Sequence, residues 1–300
     1  MDKFEAMRVF VEVADASSFS GASRKLGLSA PAVTRAIGRL ESSLEVRLFD
    51  RTTRHVRLTD AGARFFDDAR RILEEVEQAE AMAAGSYAEP KGVLSVTAPV
   101  LFGQMHIAPI LTDYLQQNPA VTVRALFFDR ISNLLEEGLD VAIRIGPLKD
   151  SSLYAVCVGH VQRVVCASPE YLNAHGTPGH PSELADHSII LASTVEPTTS
   201  WKFATPSGSE SVRISPRLYC SQNGTAISAA LQGFGITRLM SYQVGEELQS
   251  GSLTRILRDF EMAPLPVNIV YFGGRKASAK IRSFIDLAVE RLRANPYIDH

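Results

Sequence analysis

The sequence predicts two fold classes in series: an α+β region of short helices and a hairpin at the N-terminus, and a two-lobed α/β region beyond it, with one long helix between them. Three observations lead there. Apolar residues recur at helical spacing through residues 3–44. A single stripe, Phe65, Ala69, Ile72, Val76, Ala79 and Ala83, then repeats every three or four residues, and from residue 91 onward short apolar strands alternate with helices. With 300 residues and 45% hydrophobic content, the chain can build more than one core.

The first helix turns Phe4, Met7, Val11 and Ala14 inward, and the second does the same with Phe19, Ala22 and Leu26 behind a capping Ser18. Gly27 supplies the left-handed residue that stops a helix. Ser29 restarts one two residues later, with Pro31 in a first turn whose amides have no intrahelical partner. In the third helix Val33, Ile37, Leu40 and Leu44 face the core, which leaves Thr34, Arg35, Gly38, Arg39 and Ser42 outward. A helix, a short turn with Gly and a second helix with a polar N-terminal face form the helix-turn-helix geometry that sets a helix into the DNA major groove.

Charge points the same way. The net charge of −2 divides into +3 over residues 1–58, −5 over residues 59–90 and zero beyond. Residues 24–57 hold eight Lys/Arg against three acids, a local patch suited to a confined polyanion contact. The plainer alternative is that Arg35 and Arg39 only solvate a surface helix. After "VRLF", the stretch "DRTTRHVRLTDAG" places Arg51, Thr52, Thr53 and Arg54 between short extended pieces, as in a wing that reaches a groove or the phosphates. Arginine suits this task because its fork binds phosphate or a guanine edge bidentately.

The stretch "LGLSAPAVTRAIGRLESSLEVRLFDRTTRHVRLTDAG" resembles the N-terminal domain of LysR-type transcriptional regulators, over roughly sixty residues. The resemblance implies a winged helix-turn-helix over residues 1–59 that binds double-stranded operator DNA. By the family's pattern Pro31, Thr34 and Arg35 approach bases and backbone and Arg54 comes from the wing; the residues themselves add the helix start Ser29-Ala30-Pro31, Arg39 a turn further along toward a phosphate, and Arg51, Thr52 and Thr53 of the wing. The chain departs from the family at Ala30, where Gln is frequent; alanine cannot read an adenine edge but can pack on a thymine methyl.

Residues 60–90 form the linker helix and hinge. A lone helix of this length has nothing of its own to bury its stripe against, so a second copy of the chain is the economical partner; packing onto its own domain explains the first turn or two. The family resemblance implies a dimer through this helix and a tetramer built as a dimer of dimers. Gly85, Pro90 and Gly92 break the helix.

Residues 91–300 read as strand "GVLSVTA", helix "FGQMHIAPILTDYLQQN", strand "AVTVRALFF", helix "ISNLLEEG" and strand "LDVAIRIG", which predicts a parallel sheet. A second lobe, about residues 163–266, holds "QRVVCAS", a polar hairpin around "TPSGSES", the helix "GTAISAALQGFG" and the strand "ITRLM". The chain then returns through "PVNIVYF" and "SAKIRSFIDLAVERLRA" to the first lobe, about residues 91–162 and 267–300. Two crossings leave a cleft between the lobes, and ligands of open α/β sheets bind at strand carboxyl ends.

The resemblance to LysR-type regulators extends here more loosely and implies an effector-binding domain of the periplasmic-binding-protein type. It places Ala98, Pro99, Val100 and Phe102, then Phe128, then Arg144 and Gly146, then Asn223 and Thr225, and Arg238 on the cleft walls. Pro99 and Val100 stand where relatives that bind carboxylates carry hydroxyls. Arg238 stands where the family places an apolar residue; turned into the cleft it would pair with an anionic effector, and otherwise it is a surface arginine. A regulator of this class engages RNA polymerase if it activates.

Other chemistry is not signalled. The chain contains no P-loop, no GxGxxG after a strand, no HExxH and no GxSxG. No apolar run approaches eighteen residues, and Met1 is followed by Asp2, Lys3 and Glu5, so no signal peptide or span is expected and the cytoplasm is predicted. His175, His180 and His187 read as solvated loop histidines rather than metal ligands, and no cofactor is expected. Cys157, Cys166 and Cys220 read as small hydrophobes, with a Cys157–Cys166 redox pair as the alternative. Against the regulator stands an enzyme or transport-type binding protein carrying the first domain as an adaptor; the missing leader and missing nucleophile–base motifs weigh against it.

Overall fold

The computed structural model describes residues 2–51, 56–83, 89–131, 133–148, 152–192, 199–274 and 277–298. The chain divides into two compact units, Met1–Glu89 and Pro90–His300.

The first unit begins with helices α1 (Lys3–Ala16), α2 (Phe19–Leu26) and α3 (Ala30–Leu44). Each has the N-cap its sequence offers: Asp2 accepts from the Lys3 amide, Ser18 from Gly21 and Ser29 from Ala32. Gly27, at φ 64°, ends α2 in the left-handed conformation that a Cβ would oppose. Phe10, Val33 and Ile37 are fully buried, and the Phe10 ring lies 5.2 Å from Phe49 and 5.3 Å from Phe65. Strands β1 (Phe49–Arg51) and β2 (Val56–Leu58) pair antiparallel.

Helix α4 (Asp60–Ala83) follows, its start fixed by Thr59, whose hydroxyl accepts from the Gly62 amide at 2.9 Å and donates to the Arg47 carbonyl at 2.7 Å. A Cβ on Gly62 would lie 2.0 Å from the Leu48 carbonyl oxygen, so only glycine lets α4 approach the strand this closely. Phe65, Phe66, Ala69, Ile72 and Leu73 pack onto the unit's own core. The stripe is therefore occupied at home as far as Leu73, further than the first turn or two expected. Val76 lies beyond that contact and is half-buried; the side chains of Ala79 and Ala83, and Gly85, lie outside the described residues.

The second unit contains β3 (Gly92–Ala98), α5 (Val100–Phe102), a π-helical turn at Gly103–Ile107, α6 (Ala108–Gln117), β4 (Val121–Phe127), β5 (Val141–Ile145) and β6 (Tyr154–Val161). Then come β7 (Arg163–Ala167), α7 (Pro169–His175), β8 (Ile189–Ala192), β9 (Ser200–Thr205), β10 (Gly208–Arg213), β11 (Pro216–Cys220), α8 (Asn223–Leu231) and β12 (Ile236–Met240). Last are α9 (Gly245–Ser250), β13 (Thr254–Ile256), β14 (Leu265–Tyr271) and α10 (Ala279–Arg293). One sheet has the order β4-β3-β5-β14-β6 and the other β11-β8-β12-β7-β13, while β9 and β10 form a separate hairpin. The chain passes from the first sheet to the second at Gln162, whose amide donates to the Ser241 hydroxyl and whose carbonyl accepts from the Ser241 amide.

Three expectations need correction. The first sheet is mixed: β3, β4 and β5 are parallel, but β14 pairs antiparallel with both β5 and β6, because the chain returns from the second lobe along the edge of a βαβ unit. The segment "ISNLLEEG" makes turns rather than a helix in its described part. There the Asn133 side chain takes the Leu135 amide and Gly138, at φ 62°, closes the turn after one repeat. Gly92 is the first residue of β3 and bonded to Ala120, not part of a hinge.

Candidate nucleic-acid interface and effector cleft

In the first unit, α3 presents Ser29, Ala30, Pro31, Thr34, Arg35 and Arg39 to solvent, while Val33, Ala36, Ile37 and Leu40 hold its other face to the core. The Thr34 hydroxyl donates back to the Ala30 carbonyl at 3.0 Å, which fixes its methyl and oxygen on the helix surface. Among the described residues, neither Arg35 nor Arg39 has an ion-pair or hydrogen-bond partner. Arg24, Arg47 and Arg57 are likewise without a side-chain partner among the described residues, while Lys25 pairs with Glu12 at 2.8 Å and Arg70 with Asp15 at 3.5 Å. Two guanidinium groups one turn apart on the exposed face of α3 therefore have no internal acceptor among the described residues, an arrangement that favours an external anion.

Glu41, the one acid of α3, does not oppose them. Its carboxylate turns away and accepts the Leu48 and Phe49 amides at 2.9 and 3.2 Å, holding the start of β1. This role was not read from the sequence, where only the absence of other acids in α3 could have drawn attention to it. Between α3 and β1 lies a groove of about 560 Å³ lined by Gly38, Glu41, Ser42, Glu45, Val46, Arg47 and Phe49. Of the wing, β1 ends at Arg51; its side chain and residues Thr52, Thr53 and Arg54 lie outside the described residues.

In the second unit the carboxyl ends of the parallel strands β3, β4 and β5 lie together at one end of their sheet, and those of β8, β11 and β12 at one end of the other. The two ends meet where the Phe102 ring packs edge-on against Tyr242, 5.1 Å between centroids. Pro99 and Val100 are half-exposed here, as is Phe128, whose ring lies under the Arg130 guanidinium at 4.2 Å. Gly146 ends β5 with its amide on the Pro266 carbonyl. Asn223 and Thr225 start α8, whose N-cap Gln222 makes no side-chain bond to it.

Three expected wall residues are not accessible, Gly146, which is buried, among them. Ala98 is 2% exposed with its carbonyl taken by the Phe128 amide, and Phe102 is fully enclosed among Tyr242, His106 and the first-lobe core, because the helix after β3 turns its apolar side onto the sheet. Arg144 shares the sheet face of Ala142, away from Val141, Ile143 and the Phe102 cluster. Arg238 is not a bare surface arginine: its guanidinium lies 4.8 Å from the Trp201 ring and donates to the Lys202 carbonyl at 3.2 Å. Burial and the nearby Arg163 bring its pKa down to about 10.

Of the loop histidines, His175 is exposed and stacks on Tyr171 at 4.3 Å, while His187 is half-buried and shares a hydrogen bond with the Tyr171 hydroxyl at 3.2 Å. His180 lies edge-on to Phe260. Among the described residues no group of three or more His, Cys, Asp or Glu could hold a metal. Cys157 and Cys166 lie in different sheets, on β6 and β7, and all three cysteines are free; burial pushes the Cys166 thiol up to about 12, which suits a core residue.

The geometry defines a class: a helix-turn-helix unit with an open cationic face, followed by a two-lobed α/β unit. Comparison with known proteins makes this specific. Residues 4–63 match the bacterial regulatory helix-turn-helix protein, lysR family, and residues 88–293 match the LysR substrate binding domain. A transcriptional repressor of Pseudomonas aeruginosa is 35% identical over 300 residues, covering 99% of this chain and 95% of its own. The transcriptional regulator CrgA of Neisseria meningitidis is 34% identical over 292 residues, 97% of each chain; its solved structure gives a TM-score of 0.62 at 33% identity over 98% of this chain and 100% of that one. The full-length Vibrio cholerae virulence activator AphB gives a TM-score of 0.60 at 29% identity over 96% and 99%. The chain belongs to the LysR family of transcriptional regulators. It is a DNA-binding regulator with an effector-binding domain, not an enzyme. No helix among the described residues is long and apolar enough to cross a membrane.

Proposed function

We propose that this regulator reads its operator with the N-terminal half of α3. Ser29, Ala30, Pro31, Thr34 and Arg35 enter the major groove, Arg39 meets a phosphate a turn further along, and Arg51, Thr52, Thr53 and Arg54 follow from the wing. The observation that carries this reading is the pair Arg35 and Arg39, exposed and without an internal partner among the described residues, on a helix with an exposed start. The division into a DNA-binding domain over residues 1–59, a linker over residues 60–90 and an effector domain from residue 91 follows from it, with effector bound at the strand ends around Pro99, Val100 and Phe128. The regulator acts in the cytoplasm as a homo-oligomer, a dimer of dimers, and engages RNA polymerase where it activates.

Recovery and sequencing of genomic fragments bound by the purified protein tests the reading: a dyad-symmetric site upstream of a gene is expected, and fragments retained without any common sequence would defeat it. The oligomer has its own test. Ile72 packs into the unit's own core, so the informative substitution is Val76→Glu, beyond that contact. Sedimentation should then show a smaller species with an intact fold; an unchanged oligomer would remove α4 from the interface.

A further inference from the structure

The amide that opens the helix after β3 is already occupied from within the chain. Val100 is the first residue of α5, its N-cap Pro99 makes no side-chain bond, and the Val100 amide donates to Oδ1 of Asp129 at 3.0 Å, from a residue 29 positions away at the end of β4. Among the described residues Oδ2 of Asp129 carries no hydrogen bond and Asp129 is half-buried, so a carboxylate oxygen remains as an acceptor where the first-lobe strands end. Two of the cations expected in the cleft are spoken for: Arg130 makes a two-pronged pair with Glu137, both contacts at 2.6 Å, and Arg238 is held by Trp201 and the Lys202 carbonyl.

We propose that Asp129 fills the anion position of the effector cleft, so that this regulator rejects carboxylate effectors and takes a neutral or cationic hydrogen-bond donor on Asp129 Oδ2. The inference rests on the reading that effector binds at these strand ends. A carboxylate ligand would compete with a tethered carboxylate for the Val100 amide, and the two like charges would stand within a few ångströms of each other in a partly desolvated site. A ligand N–H or amidinium instead meets an oxygen that is already held in place and short of one partner. Pro99, Val100 and Phe128 beside it are partly exposed and supply apolar and aromatic surface.

Benzoate and benzamidine, matched in shape and opposite in charge, test this in the full-length protein by calorimetry and thermal shift at constant ionic strength. Wild type should bind benzamidine and bind benzoate at least tenfold more weakly. Asp129→Ala, with the Val100 amide released, should reverse that order and gain stability from benzoate. Asp129→Asn keeps an oxygen for the Val100 amide and guards against a folding defect; it should keep the wild-type melting temperature and lose benzamidine binding at least tenfold. Benzoate binding wild type as well as it binds Asp129→Ala, benzoate failing to rescue Asp129→Ala, or benzamidine binding unaffected by either substitution would each overturn the proposal. None of these readouts involves DNA. Loss of operator binding by Arg35→Ala with an unaltered ligand order separates the DNA-reading proposal from this one; a ligand order unaffected by Asp129 while probes bind elsewhere in the cleft counts against Asp129 alone.

Discussion

The two units treat their polar groups in opposite ways. On α3 of the first unit Arg35 and Arg39 face solvent with no internal partner among the described residues, and the one acid of the helix holds β1. At the strand ends of the second unit the Val100 amide has Asp129, Arg130 has Glu137 and Arg238 has Trp201. The difference fits what each must bind. A phosphate backbone supplies its own charge and is met by unneutralised cations at low cost in water. A small molecule enters a partly desolvated cleft, where any unmatched charge is expensive, so the cleft satisfies its own groups and leaves few open valences.

The comparison can be broken at its anchor points. Glu41→Ala leaves the Leu48 and Phe49 amides, both in buried residues, without their acceptor; the first unit should lose roughly 4 kcal/mol in urea unfolding, at about 2 kcal/mol for each charge-assisted bond removed. A loss below about 1 kcal/mol would mean that water replaces the carboxylate. In the second unit His106 is buried against Phe102 and Tyr242, its Nε2 without a hydrogen bond among the described residues, and burial brings its pKa down from 6.5 to about 4. The unfolded chain then binds a proton between those values that the folded chain does not. Stability is complete above pH 6.5 and falls on acidification toward pH 4, by at most roughly 3 kcal/mol. His106→Gln should flatten that slope, and an equally steep acid profile in the variant would move its origin elsewhere.

Smaller effects separate function from packing. Arg35→Ala should weaken operator binding by about 2 kcal/mol and relax one base position while leaving the melting temperature unchanged. A uniform loss on all DNA sequences in gel shifts would make Arg35 a phosphate contact. Arg238→Ala should cost about 1 kcal/mol of stability through its lost contact with Trp201 and leave the effector dose–response curve in place; a response abolished in a well-folded variant would return Arg238 to the cleft.

How much was legible follows from the range of the forces involved. The three helices, their caps at Ser18 and Ser29, the stop at Gly27 and the inward set Val33, Ile37 and Leu40 are decided within one or two turns of chain and are legible in the sequence, whereas Phe4, expected inward on the first helix, is 45% exposed. The outward placement of Arg35 and Arg39 is the complement of that set, so it was readable too. The helix expected over "ISNLLEEG" was not legible, because its apolar spacing suits a helix while Asn133 and Gly138 offer the backbone a closer partner and an exit.

By itself, the sequence determined the three helices of the first unit, the order of the two units and the cationic face of α3, since helix periodicity, capping and local charge are short-range properties. Only the tertiary structure decided the partners: Glu41 on β1, β14 antiparallel within the first sheet, Ile72 packed in its own domain, Phe102 enclosed, and Asp129 on an amide 29 residues away. Each of these is a contact between groups distant in the chain, chosen by which buried donors and apolar surfaces needed covering once the sheets had assembled, and no local pattern of residues records that choice.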